Sequence, residues 1–367
     1  MNTDKKHIKK TGTNMFKYSE IVNWIIDEIA SGNLPEGAKL PTEKEMMAQF
    51  GVSRQSVRRA VRQLEEEGIV RSVRGSGIYV EETRVPSSKR IAVILNNYDG
   101  YVFPAKLKGI NTVLEEAGYV SSLFVLDNMI SKEYQILQTL SNEDYEGIIL
   151  DGTQDLLPRA DARLFSSITQ KIPTVMLDSY YQGFSVPSVQ INNELAGYTA
   201  TKYLIDHGHR AIAYVGRIDY THGIEKYKGY IRAQLDSRIP INDNQVFFYI
   251  YNQGELIYDG KMGQRLLDTI SRCTAVFCYN DELAYNLIRF LNANGISVPD
   301  DISMVGFDHT PMPDHPVQVT SIMHPTERIG KKAAENLLQL IHQPQFNANY
   351  LFTPELAIGN SVLPCGT

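Results

Sequence analysis

The sequence predicts an α/β body of parallel sheets flanked by helices, preceded by a small winged helix-turn-helix. Three observations carry this expectation. At 367 residues the chain is long for one hydrophobic core, which points to a small unit followed by a larger one. Arginines crowd one short segment near the N-terminus, where Arg54, Arg58, Arg59 and Arg62 all precede the next acid, Glu65. Beyond residue 90, short apolar runs alternate with helical patterns, as parallel strands covered by helices do.

Composition narrows the class. With 43% hydrophobic and 21% charged residues the chain has material for a real core. No apolar run reaches the ~18 residues of a membrane span, and the start lacks a signal peptide's apolar stretch, so no membrane partner and a cytoplasmic location are expected. Cys273, Cys278 and Cys365 show neither Cys-x-x-Cys spacing nor paired His ligands, which suits a reducing compartment and predicts no metal; no cofactor is expected either. Net charge is −6, yet residues 1–84 carry 14 Lys+Arg against 12 Asp+Glu, and the remainder 22 against 30. For a phosphate backbone the clustering of cations decides, and here they cluster.

Residues 1–17 are polar, lysine-rich and aperiodic, as a basic mobile arm is. A winged helix-turn-helix is expected over 18–80. Its first helix starts at Tyr18, with Ile21, Ile25 and Ile29 in one row and Ser31-Gly32 as a stop. A second helix is announced by Thr42, which can cap it, and Glu45, which can close a capping box. Gly51 ends it. Ser53 then caps a third helix that buries Val57, Val61 and Leu64 and breaks at Gly68. Helix, tight turn and helix form the unit that places its second helix in the major groove. Residues 69–73 and 78–80 are β-prone around a turn at 74–77, which reads as a hairpin wing. Residues 81–90, with Pro86-Ser87-Ser88, read as a linker.

The body spans 91–367. Strands are expected at 91–95, 147–150, 174–177, 211–215, 275–277 and 302–305, with a helix around 105–117. About 275 residues of such units suffice for two similar lobes.

From Lys39-Leu-Pro-Thr-Glu-Lys-Glu through Gly51-Val-Ser-Arg-Gln-Ser-Val-Arg-Arg to Glu67-Gly-Ile-Val, the chain resembles the DNA-binding domain of the gluconate-repressor (GntR) family. The resemblance implies DNA contacts from Lys44, Ser53, Arg54, Gln55, Ser56 and Arg58, and from Arg74 and Gly75 at the wing tip. Residue chemistry agrees. Arg54 can present a bidentate fork to guanine, Ser53, Ser56 and the helix N-terminal amides suit phosphate, and Arg58 lies one turn beyond Arg54.

Residues 90–363 resemble the effector domain of the LacI/GalR family. The markers are Glu116-Ala-Gly-Tyr119, the run His207 to Gly216, Lys228-Gly-Tyr230, Cys278-Tyr-Asn-Asp-Glu-Leu-Ala284, Ile302-Ser-Met-Val-Gly-Phe-Asp308 and Gly330-Lys-Lys-Ala-Ala334. This implies a periplasmic-binding-protein-like fold, two lobes with a sugar in the cleft between them. The matching ligand positions are Tyr98, Asp99, Tyr101, Phe103, Asp151, Asp178, Ser179, Lys226, Asn280, Asp281 and Asp308. Most follow strand C-terminal ends, where open α/β sheets place ligands. Carboxylates and amides for hydroxyls, with an aromatic wall for C–H faces, are what a sugar needs. The chain departs from the family at Lys226, where arginine is usual. It departs again at Asp308-His309, at His324-Pro325 in place of Gln-Pro, and around Gly359-Asn360.

The arginine-rich helix argues against a sugar-binding module without DNA function. Carboxylates alone do not make a glycosidase, since no pair can be shown to face one bond, and Gly75-Ser-Gly77 opens no strand-to-helix phosphate loop. The expectation is therefore no enzyme. It is a homodimeric repressor on pseudo-palindromic double-stranded operator DNA, released by a sugar. L-arabinose is the expected effector; another sugar, a sugar phosphate or a purine is the alternative.

Overall fold

The computed structural model describes residues 13–366 except 31–32, 36, 67, 74, 81–88, 97–101, 158 and 160. The chain divides into two compact units, 1–87 and 88–367.

In the first unit, α1 (Thr13–Ala30), α2 (Glu43–Phe50) and α3 (Arg54–Glu66) precede the antiparallel hairpin of β1 (Val70–Val73) and β2 (Gly77–Val80). The amphipathic rows meet in one core, in which Ile21, Ile25, Met46, Val57 and Leu64 are fully buried. Residues 37–40 lie along β2, with Leu40 N–H on Ile78 O and Val80 N–H on Ala38 O, so the wing has three layers of backbone. The first helix begins five residues before the expected Tyr18. No glycine or proline lies between Thr13 and Ala30, so nothing stops the helix from extending back to Gly12. The rest of the expected arm, 1–12, and residues 81–88 of the expected linker lie outside the described residues.

The second unit begins with β3 (Arg90–Leu95), α4 (Val102–Glu116), β4 (Val120–Val125), α5 (Ile130–Leu140), β5 (Gly147–Leu150), α6 (Ala162–Lys171), β6 (Thr174–Leu177) and β7 (Ser188–Ile191). It continues with α7 (Asn193–Asp206), β8 (Ile212–Arg217), α8 (Thr221–Asp236), β9 (Val246–Tyr249), α9 (Gly260–Ile270), β10 (Ala275–Cys278), α10 (Asp281–Ala293) and β11 (Ser303–Asp308). β12 (Thr320–Met323), α11 (Thr326–His342), β13 (Tyr350–Phe352) and β14 (Glu355–Ala357) complete it.

Two six-stranded sheets result, ordered β13-β7-β6-β5-β3-β4 and β14-β12-β11-β10-β8-β9. The sheets are parallel, as expected, with one antiparallel neighbour pair, β12 with β14. The chain crosses between lobes at three places: after β7, between β12 and α11, and between β13 and β14.

Each lobe is covered by a tightly crossed helix pair, α4 with α11 and α7 with α8. Glycines let the backbones touch. A Cβ on Gly229 would sit 2.0 Å from Glu194 O, and one on Gly109 would sit 2.1 Å from Glu327 O. The two pairs are equivalent by position, so Lys106, three residues before Gly109, corresponds to Lys226, three before Gly229.

Candidate functional site

The head's surface is set by the α2–α3 turn. Thr42 and Glu45 form the capping box, with Thr42 N–H donating to Glu45 Oε2 at 2.7 Å and Thr42 Oγ1 accepting from Glu45 N–H. Gly51 takes the left-handed conformation at φ 60°, which turns the chain toward α3. Ser53 Oγ accepts from Ser56 N–H at 3.3 Å and so caps α3.

Lys44, Ser53, Arg54, Gln55, Arg58 and Gly75 are all exposed; Arg74 lies outside the described residues. Ser56 departs from expectation. It is only 5% exposed, and its hydroxyl lies 3.1 Å from Ser53 Oγ, so it builds the start of the helix instead of facing outward. Glu43 went unseen in the sequence. Its carboxylate accepts from Arg54 Nε at 2.5 Å and from Arg58 Nε at 2.9 Å, and these hydrogen bonds hold it below the usual carboxylate range. Both arginines remain well exposed and share one orientation. Behind them the Arg59 guanidinium lies 4.3 Å from the Tyr18 ring.

In the second unit a cleft of about 230 Å³ opens where strand C-terminal ends of the two lobes face each other. Of the ligand positions read from the sequence, Phe103, Asp151, Asp178, Lys226, Asn280 and Asp308 line it. Asp178 and Asp308 hold positive φ values of 51° and 106°, and such strain is retained where the surroundings fix the residue. Tyr98, Asp99 and Tyr101 lie outside the described residues. Ser179 and Asp281 do not reach the cleft. Ser179 Oγ accepts from Gly152 N–H and donates to Leu177 O. The Asp281 carboxylate accepts from Thr310 N–H at 2.7 Å and from the Ser321 hydroxyl at 2.8 Å; burial pushes it up to about 7. Both are braces behind the wall.

The structure adds lining residues that the sequence reading missed. Lys106 is buried, with its ammonium 3.1 Å from Asp151 and 2.7 Å from Asp178. His324 occupies the second crossover and bridges Asp178 at 3.1 Å and Asp308 at 3.4 Å. Burial alone would lower its pKa, but the two carboxylates raise it to about 9, so it is protonated at neutral pH. Those same cations hold the Asp178 carboxyl well below the usual range, against the effect of burial. Lys226 rests on the Phe307 ring at 3.3 Å and donates to Tyr279 O; burial lowers it to about 8. Asn280 spends its oxygen capping α10 through Leu283 N–H, which leaves its amide N–H₂ for the cleft. Arg217 is held bidentately by Asp219 at 3.0 Å.

The lobes are joined across the cleft mouth. Asn96 donates to the Tyr220 hydroxyl, which donates to Asn128. Asp155 accepts from the N–H of Thr221 at 2.7 Å and from its hydroxyl, and Tyr180 donates to Glu225 at 2.9 Å. No cluster of metal-ligating side chains occurs among the described residues, and none of their helices is long and apolar enough to cross a membrane.

A DNA-reading head on a two-lobed ligand-binding body is the architecture of a ligand-responsive transcription regulator. Residues 17–80 match the family of bacterial regulatory proteins, gntR family, and 201–362 match the periplasmic binding protein-like domain. The arabinose metabolism transcriptional repressor of Geobacillus stearothermophilus is 33% identical over 352 residues, covering 93% of this chain and 95% of the relative. That of Halalkalibacterium halodurans is 28% identical, covering 94% and 96%. The chain belongs to the family of arabinose metabolism transcriptional repressors, and it is a repressor and not an enzyme. Among solved structures, a CelR–cellobiose complex superposes with a TM-score of 0.66 at 23% identity, over 84% of this chain and 91% of that one. CcpA of Lactococcus lactis does so with 0.65 at 25% identity, over 74% and 98%.

Proposed function

We propose that the protein represses sugar-utilisation genes in the cytoplasm and leaves its operator when L-arabinose binds the cleft of residues 91–367. The observation that carries this is the alternating run of charge along the cleft: Asp151, Lys106, Asp178, His324 and Asp308, each paired with the next. Such a run offers acceptors and donors side by side but little net charge, which suits a neutral polyol. Phe103 and Phe307 supply apolar faces for its C–H groups. Lys106 and Arg217 are already neutralised by carboxylates, which disfavours a sugar phosphate. A cleft of about 230 Å³ lies below the ~300–1,000 Å³ of sites for larger ligands and supports a monosaccharide.

On the head, Lys44, Ser53, Gln55 and the wing tip at Arg74 and Gly75 are assigned to backbone positioning, and Arg54 and Arg58 to base edges. The protein acts as a homodimer, because a pseudo-palindromic site needs two heads. Supporting this, the free edge strand β4 carries the exposed apolar side chains Val120 and Leu123, and Tyr251 lies exposed two residues beyond the end of β9, the edge strand of the other sheet.

The test is a gel-shift titration of protein on an operator selected from random duplexes. L-arabinose is expected to release the DNA. Undiminished binding at saturating L-arabinose would rule it out as the effector.

A further inference from the structure

Four polar atoms of cleft-lining residues are buried without a hydrogen-bond partner among the described residues; Asp178 Oδ2 and His324 Nδ1 are held in ion pairs, whereas Asn96 Oδ1 and His222 Nδ1 have neither among those residues. They come from opposite lobes. Asn96 follows β3, and His222 lies in the first turn of α8. An unsatisfied buried polar atom is costly, and a ligand group bonded to it removes that cost.

The protons around these atoms can be ordered. Asn128 Oδ1 accepts from the Thr153 hydroxyl at 2.9 Å, so the Tyr220 hydroxyl, also bonded to that oxygen, donates to it. Tyr220 must then accept from Asn96, which turns the Asn96 amide nitrogen toward Tyr220 and leaves Oδ1 as a bare acceptor. On the other lobe, His222 Nε2 is bonded to the Tyr279 hydroxyl. Burial, with Lys226 and Arg217 nearby, keeps this imidazole neutral, so one of its nitrogens carries a proton. Were it Nε2, the buried phenol hydrogen would have no acceptor among the described residues. Tyr279 therefore donates to Nε2, and Nδ1 carries the proton as a free donor. The Tyr220 ring, whose hydroxyl Asn96 bonds, lies 5.1 Å from the His222 ring, so Asn96 and His222 flank one side chain of the cleft wall.

We propose that Asn96 and His222 form a hydroxyl-reading pair that determines ligand specificity: one hydroxyl of a neutral sugar donates to Asn96 Oδ1 and accepts from His222 Nδ1–H, so one ligand group is held from both lobes. This rests on the cleft being a sugar site. A sugar lacking that hydroxyl leaves both atoms dry. A sugar phosphorylated there lacks the proton and sets a charged oxygen against the Asn96 carbonyl.

The experiment is calorimetry on the full chain with L-arabinose, other neutral pentoses and hexoses, and their phosphates, followed by the monodeoxy analogues of the best neutral ligand. Asn96→Ala and His222→Phe are measured alongside, and sugar-free operator binding serves as the check on folding. The expected result is about 10-fold or greater weakening in each variant, with one deoxy analogue bound as weakly by wild type as by the variants. Independent losses for every analogue would overturn the pair. So would a wild-type protein that tolerates removal of each hydroxyl in turn, a reading that needs no variant. Binding of phosphates alone would overturn it as well. If L-arabinose fails but another neutral sugar binds, the effector identity falls while the pair is judged on that sugar; if L-arabinose binds and both variants are indifferent, only the pair falls.

Discussion

Arg54 and Arg58 reach outward from α3 with their guanidinium groups tied to one Glu43 carboxylate, which orders two long side chains before any DNA arrives. Exchanging Arg54 for Ala is expected to weaken specific operator binding by ~1–3 kcal/mol in fluorescence anisotropy, while binding to unrelated duplex changes far less. In the cleft, His324 is the residue whose charge matters. Its pKa is raised in the folded state to about 9, so the stability it contributes is fully present below ~6.5, its ordinary value, and is lost as pH rises through 9. Asp178, Asp308 and, beyond Asp178, Lys106 are the charged groups around it. Urea denaturation should find wild type more stable than His324→Gln at pH 6, by on the order of 2–3 kcal/mol, with the gap closing toward pH 10. A gap independent of pH would remove the ion pairs from the account. Asp151, Asp178 and Asp308 were legible because each follows an apolar strand run. Ser179 and Asp281 were misassigned because residue type does not reveal that their polar groups are taken up behind the wall, Ser179 by Gly152 N–H and Leu177 O and Asp281 by Thr310 N–H and the Ser321 hydroxyl. Lys106 was illegible because a lysine in a helix ordinarily marks a solvated face, as its neighbour Lys108 does.

Among elements, the α2–α3 turn was readable almost entirely, since capping box, left-handed glycine and N-cap serine each leave a residue-type signature. Thr42→Ala should lower the melting stability of the head by ~1 kcal/mol. The helix pairs of the body were not readable as pairs, yet their glycines are decisive. Gly229→Ala drives a methyl group to 2.0 Å from Glu194 O, so α7 and α8 must separate; a loss of ~1–3 kcal/mol is expected in chemical denaturation of the body. An unchanged midpoint would mean that the crossing is looser than described. The inner strands β3, β5, β6, β8, β10 and β11 announced themselves as continuous apolar runs. β4, β7, β12 and β14 did not, because they lie at edges or crossovers and mix Ser, Gln, Thr or Glu into short spans.

At the scale of the whole body, the two lobes are versions of one plan. Lys106-Leu-Lys-Gly-Ile and Lys226-Tyr-Lys-Gly-Tyr occupy equivalent turns, a repeat that would have exposed Lys106 had the lobes been aligned on each other. The sugar is expected to favour the arrangement in which Asp155 meets Thr221 across the mouth. Hydrogen exchange at the Thr221 amide should slow on adding L-arabinose; an unaltered rate would separate binding from closure. Finally, β13 and β14 belong to different sheets, with only Thr353 and Pro354 between them. A stop codon after Asn349 therefore strips an edge strand from both lobes at once. A nonsense allele at the far end of the gene is expected to derepress its targets as fully as one that removes the DNA-reading helix.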